Sequence, residues 1–268
     1  MNNLEIFCFT HIPLDDLENL GYKMAGIRRN EFPAQYITSD TGENIIEKEK
    51  YYSEYVFHYW FWKNKLKSYE DTIWIGFCQK RRFWLQKKVS TKPKNFADLN
   101  KVVLKEVPTE WNKYDAVIQP PMSLKEKKMV MIKRGYRSLI KDPEIFFNEK
   151  KHTIKLHFDM HHGYGNLDKA IDLMNINDRE DFREYVNTQN SFSPNNMFIA
   201  KKEIADKWFG DVFPWLFKCE KVLGFKNLKG YETRIYAYLA ERYLSFWFKK
   251  YTSSIEWPWV FVDLTELK

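Results

Sequence analysis

The chain has 268 residues, of which 44% are hydrophobic, 29% charged and 18% aromatic, and its formal net charge is +7. This is the composition of a globular protein, long enough for one large domain or two small ones. Three widely spaced cysteines exclude a disulfide framework or a zinc-binding spacing, and no run of about 18 apolar residues is present to span a membrane.

The positive charge favours an anionic partner such as a nucleotide, a nucleic acid or an anionic membrane surface, although a lysine-rich solvated surface gives the same charge. The aromatic residues suit a sugar-binding cleft, a large core or an RNA-binding surface. The cysteine usage fits a reducing cytoplasm, and the first residues, MNNLEIFCFTH, lack the pattern of a signal peptide. We therefore expect a cytoplasmic protein whose membrane contact, if any, is peripheral.

Strands and helices alternate in the first half of the chain. Leu4–Thr10 is predicted as a buried strand and Ile12–Tyr36 as a loop with a short helix. Turn-forming residues occupy Thr38–Asn44, and helical spacing covers Glu47–Lys65. This half is completed by a buried strand at Ile73–Cys78, a short helix at Ala97–Glu106 and a strand at Tyr114–Gln119.

Helices dominate the second half. The lysine- and methionine-rich segment Ser123–Gly135 is interpreted as a mobile loop or a helix, and Lys151–Phe158 is predicted as a short alternating strand. The remaining predicted elements are helices at Asn166–Met174, Asp181–Val186, Lys202–Val222 and Tyr231–Phe248, a strand at Asn196–Ala200, and an edge strand or clamp at Glu256–Leu264.

This order of elements predicts an α/β fold with an open, mostly parallel sheet flanked by helices and a helix-rich C-terminal half. Such sheets bind ligands at the carboxyl ends of their strands. Those ends carry Thr10 and His11, the segment Gln79–Arg82, and Gln119. Because Arg81 and Arg82 follow a buried strand directly, the sequence predicts an anion site there, with the diphosphate of an activated sugar as the favoured ligand.

Several segments resemble, in order, the bacterial polysaccharide glycosyltransferases long labelled domain of unknown function 4422. Two pieces carry most of the resemblance: Tyr59–Asn64 matches Y-W-x-W-K-N after a helical glutamate, Glu54, and Gly76–Phe83 matches G-x-C-H-Y-R-R-Y-F. The other matching pieces are Thr10-His11, the D-x-G-x-N-I turn at Asp40–Ile45, Tyr114-Asp115, the segment from His162 to Asp168, Asn196–Ile199, Arg234, and Glu241-Arg242.

The resemblance implies a GT-A-like fold and sugar transfer in capsule or lipopolysaccharide synthesis. The donor would be a nucleotide-sugar, and the acceptor a hydroxyl of a lipid-linked glycan or an oligosaccharide. We expect a single domain over residues 1–268, with a nucleotide-sugar-binding half at 1–122 and a helix-rich acceptor half at 123–268. The family's His-Tyr before the arginines is Gln79-Lys80 here, so any role of that histidine is altered in this chain. Whether the configuration at the anomeric carbon is inverted or retained stays open.

The arginines would neutralise the leaving diphosphate, whose charge grows as the glycosidic bond breaks. No D-x-D motif follows the strand Ile73–Cys78, so we expect transfer without a metal, with Mn or Mg as an alternative. Basic surface clusters and ordinary turns can also explain these residues. The expected donor and diphosphate contacts are Thr10, His11, Asp40, Gly42, Asn44, Lys63, Gln79, Arg81, Arg82 and Asn196.

The candidate catalytic residues are Asp159, His162 and Glu241. Glu241 lies in an apolar helical segment and suits either a general base or a structural pair with an arginine, and Asp168 is a rival base. The pattern H-x-D-x-H-H, His157–His162, could hold zinc or manganese, contact a substrate, or be structural.

In an extended segment, His157, Asp159 and His161 would share a face. This pattern supports one alternative function, a metal-dependent hydrolase. The other alternative is a nucleic-acid-binding protein without catalysis, although no known motif for it is present. The aromatic residues Tyr55, Tyr59, Trp60 and Trp62 are expected in the core rather than in a sugar platform.

Overall fold

The computed structural model describes residues 3–14, 19–124, 143–144, 148, 151–226 and 228–263. These ranges contain eleven strands and eight α-helices. The strands are β1 Leu4–Phe9, β2 Lys23–Gly26, β3 Ile37–Thr38, β4 Trp74–Gln79, β5 Arg82–Trp84, β6 Ala116–Ile118, β7 Met122–Ser123, β8 Ser191–Phe192, β9 Phe198–Lys201, β10 Ser254–Glu256 and β11 Trp259–Phe261. The helices are α1 Glu49–Tyr52, α2 Tyr55–Asn64, α3 Phe96–Val102, α4 Ile154–His162, α5 Asn166–Asp172, α6 Ile176–Thr188, α7 Lys202–Leu223 and α8 Ile235–Tyr251.

The main sheet has the strand order β10-β6-β9-β4-β1-β2-β3, with β5 added to β4 and β11 added to β5. Strands β3, β2, β1 and β4 are parallel neighbours, β10 is parallel to β6, and β9 runs antiparallel to β4 and β6. The predicted α/β fold with an open, mostly parallel sheet is therefore confirmed. Because β9 lies between β4 and β6, residues from both predicted halves of the chain share one sheet.

Aromatic residues fill the core between the sheet and its helices. Phe7 of β1 contacts Phe57 and Phe61 of α2, with ring centroids 5.8 and 4.7 Å away. The expected core position of Tyr55, Tyr59 and Trp60 is confirmed, since all three are buried. Strands β1 and β4 are covered on both faces in this way, which explains why they are continuous apolar runs in the sequence.

The predicted helix Glu47–Lys65 is wrong as a single element, because the chain breaks at Ser53. A short 3₁₀ helix at Ile46–Lys48 leads into α1, and Ser53 adopts φ 50° and ψ −127° before α2 begins. This left-handed residue turns the chain and places Glu54 at the start of α2. Similarly, the predicted loop Ile12–Tyr36 contains β2, a strand of only four residues.

The predicted strand Lys151–Phe158 is wrong, because this segment enters helix α4. The Thr153 hydroxyl caps the helix by accepting a hydrogen bond of 3.2 Å from the Leu156 N–H. The buried face repeats every four residues, at Ile154, Phe158 and His162. A spacing of four fits a strand and a helix equally, which is why the apolar pattern was ambiguous.

The other predicted elements are found near their expected positions, including α3, α5, α6, α7, α8, β6 and β9. The predicted C-terminal edge strand is β11, which pairs antiparallel with β5. Of the segment Ser123–Gly135, residues 125–135 lie outside the described residues. Within the ranges that the structure describes, no helix combines the length and the apolar character that crossing a bilayer requires.

Candidate functional site

Strained backbone surrounds one end of the sheet. In the described part of the chain, the non-glycine residues with positive φ are Ser53, Arg81, Asn195 and Asn196, at 50°, 76°, 71° and 52°. Such conformations cost about 1–3 kcal/mol each and concentrate at functional sites. Each of these residues either is a member of one cluster of polar residues or directly precedes a member of it. We call it the Arg82–Glu241 cluster, and it comprises Glu54, Gln79, Arg82, Asn195, Asn196, Tyr238, Glu241 and Arg242.

The topology explains why distant segments meet here. Gln79 lies at the carboxyl end of β4, and Arg82 begins β5. Since β9 is antiparallel to β4, with Phe198 opposite Phe77, the loop before β9 delivers Asn195 and Asn196 to the same edge. Helix α8 supplies Tyr238, Glu241 and Arg242, and the break between α1 and α2 supplies Glu54.

A chain of hydrogen bonds runs through the cluster. Arg82 Nη1 donates to Gln79 Oε1 at 3.1 Å, and Gln79 Nε2 donates to the Asn195 carbonyl at 2.8 Å. The Asn195 N–H then donates to Glu241 Oε1 at 2.6 Å. Three of the predicted site residues, Gln79, Arg82 and Glu241, are thus linked through the strained Asn195.

Glu54 is a member of the cluster that we did not select from the sequence as a site residue. Its Oε1 accepts a hydrogen bond of 2.7 Å from Asn196 Nδ2, and the Tyr55 hydroxyl donates to Asn196 Oδ1 at 3.2 Å. Both Glu54 and Asn196 are buried. A signal was present, since Glu54 is the one acidic residue in the aromatic stretch 51–65.

The cluster holds cations and carboxylates in a partly dehydrated setting. Burial lowers the pKa of the half-buried Arg82, and the nearby Glu54 and Glu241 carboxylates act in the opposite direction. An arginine keeps its charge under such conditions. Because the surrounding dielectric is low, this charge acts more strongly on a bound anion than it would in water.

Arg242 is completely buried and orients Glu241. Its Nη1 donates to Glu241 Oε2, its Nη2 lies 3.0 Å from His157 Nδ1, and its guanidinium lies 4.0 Å from the centroid of the Phe192 ring. Burial lowers the pKa of Arg242, and Glu241 opposes that effect. The prediction of a structural Glu–Arg pair is therefore borne out for these two side chains, whatever else Glu241 does.

His162, a predicted catalytic residue, reaches the cluster through Tyr238. The two rings stack at 3.9 Å with an interplanar angle of 22°, and His162 is buried. The Arg234 guanidinium lies 5.8 Å from the centroid of the same tyrosine ring. Burial raises the pKa of the Tyr238 hydroxyl, partly offset by Arg234.

Asp159 belongs to a different set of contacts. Lys155 Nζ lies 2.8 Å from Asp159 Oδ2 and 2.7 Å from Asp168 Oδ2, so both candidate bases share one lysine. Burial raises the pKa of Asp159 and Lys155 counteracts it. The helix also separates Asp159 from His157 and His161, whose rings stack at 4.2 Å, so the shared face expected for an extended segment is wrong.

Arg81 and Arg82 do not act as neighbouring cations on one strand. The chain reverses at Lys80 and Arg81, and Gln79 pairs with Arg82 across this two-residue turn. Arg81 Nη2 instead contacts Asp263 Oδ2 at 2.6 Å. The centroid of the Phe261 ring lies 4.7 Å from the Arg81 guanidinium and 5.7 Å from that of Arg82.

The predicted turn residues hold the chain against α2. Gly42 adopts φ 63°, and a Cβ there would lie 2.1 Å from Asn64 Oδ1. Asn64 in turn accepts from the Glu43 N–H at 3.1 Å and donates to the Glu43 carbonyl at 2.8 Å. The Trp60 indole donates to the Thr41 carbonyl at 2.6 Å. The conspicuous W-x-W-K-N segment therefore contains residues that fix this turn.

Four more predicted contact residues have local partners. Asp40 Oδ2 accepts from the Arg29 N–H at 2.7 Å, and Asn44 Oδ1 accepts from the Ile46 N–H at 3.2 Å. Lys63 Nζ lies 3.9 Å from the centroid of a Trp62 ring. The buried Thr10 hydroxyl donates to the Ile12 carbonyl at 2.6 Å.

His11 approaches a carboxylate near the same edge of the sheet. His11 Nδ1 lies 3.0 Å from Glu49 Oε1, and this hydrogen bond lowers the pKa of Glu49. Across the described ranges, no hydrogen bond, ion pair or ring contact joins His11, Asp40, Asn44 or Lys63 directly to Arg82 or Glu241.

No metal centre is formed by the described side chains, since they contain no group of three His, Cys, Asp or Glu residues arranged to hold an ion. For the described part of the chain, the segment His157–His162 supplies a stacked histidine pair and a lysine-bound aspartate rather than a ligand set.

The structure defines an α/β protein with a strained polar cluster at the carboxyl edge of an open sheet. Residues 5–252 match the family described as Domain of unknown function (DUF4422), and the chain belongs to that family. No match is found among curated proteins. Among solved structures, the apo form of the WbbM bifunctional glycosyltransferase is similar, with a TM-score of 0.72 and 18% sequence identity. The match covers 98% of this chain and 46% of that one, so this chain spans less than half its length.

Proposed function

We propose that the protein is a glycosyltransferase that moves a hexosyl group from a nucleotide-sugar to a hydroxyl of a capsule or lipopolysaccharide precursor. One observation carries the proposal. A half-buried cation, Arg82, lies near the buried carboxylate of Glu54 and the partly buried carboxylate of Glu241 at the carboxyl edge of the sheet, in a fold similar to that of a glycosyltransferase. Open α/β sheets bind their ligands at this edge.

Arg82 would stabilise the leaving nucleoside diphosphate. As the bond between the sugar and the diphosphate breaks, negative charge accumulates on the phosphate oxygens, and a fixed guanidinium lowers the energy of that state. Gln79 holds one nitrogen of Arg82 in place. In this proposal Arg82 supplies the positive charge that a divalent ion would otherwise provide, and Mn or Mg binding stays an alternative.

A carboxylate of the cluster would accept the proton of the acceptor hydroxyl as that oxygen attacks the anomeric carbon. Both oxygens of Glu241 are already engaged, by the Asn195 N–H and by Arg242. In the part of the chain that the structure describes, the Glu54 carboxylate accepts a hydrogen bond at Oε1, from Asn196, and none at Oε2. The geometry therefore favours Glu54 as the base and Glu241 as the residue that positions Asn195.

Both predicted halves of the chain would then contribute to the site. Residues 1–122 supply Arg82 and Gln79 for the donor diphosphate and Glu54 as the base for the acceptor hydroxyl. Residues 123–268 supply Asn196, which binds Glu54, and Glu241, which binds Asn195. We place the reaction at the cytoplasmic face of the membrane, where a nucleotide-sugar and a lipid-linked precursor meet.

A thermal-shift series with UDP, GDP and CDP tests this function. A ligand that binds the native state at a hundred times its Kd stabilises it by about 2.7 kcal/mol. We expect one of the three to raise the melting temperature, and nucleotide-sugars carrying that base to be consumed when an acceptor extract is added. Absence of stabilisation by all three, together with salt-sensitive binding of an oligonucleotide, would favour the nucleic-acid-binding alternative.

A further inference from the structure

Two adjoining hollows lie beside the edge strand β11, outside the Arg82–Glu241 cluster. The larger has a volume of about 660 Å³ and the smaller about 450 Å³. They share Lys92 and Phe261 in their linings. The larger hollow is lined mainly by apolar residues, namely Leu85, Val89, Pro258, Trp259, Val260 and Phe261.

Lysines line the rims of both hollows. The segment 87–94, KKVSTKPK, has four lysines and no acidic residue, and Lys88, Lys92 and Lys94 line the hollows. In the described part of the chain, none of these three forms an ion pair. Two acids also contribute: Glu256 lines the larger hollow, and Asp263 lines the smaller one but is neutralised by Arg81 at 2.6 Å. Leu85 and Val260 are buried, whereas the three lysines are exposed, so the floor of this surface is apolar and its rim is cationic.

Phe261 connects this surface to the candidate site. Phe261 is 36% exposed, and it lines both hollows. Its ring also lies against Arg82 of the cluster. A molecule that fills the hollows would consequently lie next to the residue to which we assign the leaving diphosphate.

We propose that these hollows bind an anionic lipid of a bilayer surface, with its phosphate on the lysine rim and its first methylenes on Trp259 and Phe261. Cationic residues at a membrane surface attract anionic headgroups, and aromatic residues favour the boundary between headgroups and acyl chains. A free phosphate ion would leave the apolar floor exposed to water. The combination of positive charge and apolar surface therefore favours an anionic lipid over a free phosphate ion.

Lipid binding at this surface would serve the proposed sugar transfer, and only this link to transfer rests on the proposed function. A lipid-linked acceptor stays in the membrane, so an enzyme that docks beside its own site meets the acceptor at high local concentration. Lipid binding itself requires no transfer activity and can therefore be tested separately.

Co-sedimentation with vesicles tests the proposal. The full chain should bind vesicles of phosphatidylglycerol and phosphatidylcholine, and should bind pure phosphatidylcholine vesicles weakly. Lys88→Glu/Lys92→Glu/Lys94→Glu should weaken binding to the anionic vesicles by about 100-fold or more, since each lysine near such a surface contributes about 5-fold. Phe261→Ser should weaken it further in high salt, where the apolar contact dominates.

The matched control is Lys218→Glu/Lys221→Glu/Lys226→Glu, which changes the net charge equally at exposed positions that line neither hollow. Equal loss in both triple variants would overturn the proposal, because it would show attraction by net charge alone. Competition by inorganic phosphate that displaces the vesicles while Phe261→Ser has no effect would also overturn it, since the ligand would then be a phosphate without its chain. Circular dichroism shows that each variant is folded.

Discussion

Glu54 and Asn196 are separated by 142 residues in the chain and joined by a hydrogen bond of 2.7 Å from Asn196 Nδ2 to Glu54 Oε1. Each depends on a left-handed residue, since Ser53 precedes Glu54 and Asn196 itself has φ 52°. The bond ties the break between α1 and α2 to the loop before β9. The fold therefore maintains left-handed backbone on both sides of this hydrogen bond, and conformations of this kind cluster at functional sites.

Glu54→Gln should remove the proposed base with little change in shape. Because the amide oxygen can still accept from Asn196, the free energy of unfolding should change by less than about 1 kcal/mol. Turnover of the nucleotide-sugar should fall by about 10²–10⁴-fold, the range of general-base catalysis.

Glu241→Gln is the matched comparison. It leaves Arg242 buried without a full countercharge, so it should lower the free energy of unfolding by about 3 kcal/mol or more. The assay is turnover against pH together with denaturant unfolding for both variants. A turnover loss confined to Glu241→Gln would reverse the roles that we assign to the two carboxylates.

Gly42→Ala should destabilise the turn through a collision with Asn64. The new Cβ meets Asn64 Oδ1 at 2.1 Å and forces a side chain at φ 63°. We expect a loss of about 3 kcal/mol in unfolding free energy, because the left-handed conformation costs about 1–2 kcal/mol and hydrogen bonds of Asn64 are lost as well. Gly21→Ala, at φ 79° with open space around the Cβ, isolates the conformational part. Equal losses for both would refute the packing role of Asn64.

Asp178 anchors helix α6 to helix α8 through three donors. It accepts from the Tyr243 hydroxyl at 2.6 Å, the Tyr251 hydroxyl at 2.6 Å and Lys250 Nζ at 2.8 Å. Asp178→Ala should cost about 1–3 kcal/mol, because the hydroxyl of the buried Tyr243 is left unpaired. Asp181 contacts the same lysine at 2.8 Å but is exposed, so Asp181→Ala should cost less than about 1 kcal/mol. Denaturant unfolding measures both, and similar losses would contradict this assignment.

The same carboxyl group predicts how stability depends on pH. Burial acts to raise the pKa of Asp178, but the hydrogen bonds from Lys250, Tyr243 and Tyr251 outweigh it, and the pKa lies below its usual range. A lowered native pKa means that the stabilisation is complete above the unfolded value of about 3.9 and is lost as the pH falls through the native value.

Asp178→Asn reveals this contribution by comparison. The difference in unfolding free energy between the wild type and Asp178→Asn should stay constant from about pH 7 to pH 5 and shrink in more acidic solution. Denaturant unfolding at several pH values measures it. A difference that grows below about pH 4 would show that the sign is wrong.

The central strands were predictable because their causes are local. Strands β1 and β4 are covered on both faces, and a continuous apolar run reports that directly. The turn between β4 and β5 was not predictable, since Arg81 takes a left-handed conformation that glycine or asparagine usually signals. The sequence therefore presented Arg81 and Arg82 as neighbours, whereas the fold turns them to different partners.

The cluster was predictable only in part, for a different reason. Gln79, Arg82, Asn196 and Glu241 were selected because polar residues at strand ends and charges in apolar segments are visible in sequence. Glu54 was missed because its significance lies in a contact with Asn196, 142 residues away. Conversely, Asp40, Gly42 and Asn44 form a conspicuous motif whose partners in the structure are mostly their own neighbours and α2.

The most direct test of the account is a calorimetric titration of the nucleoside diphosphate that stabilises the wild type, repeated with Arg82→Ala and Arg81→Ala. Loss of a charge-assisted contact should weaken binding to Arg82→Ala by about 10–100-fold, since such a bond is worth about 1.5–3 kcal/mol. Arg81→Ala, which removes a partner of Asp263, should bind within about 3-fold of the wild type, as for a surface ion pair. Unchanged affinity in Arg82→Ala would contradict the assignment of Arg82 to the leaving diphosphate.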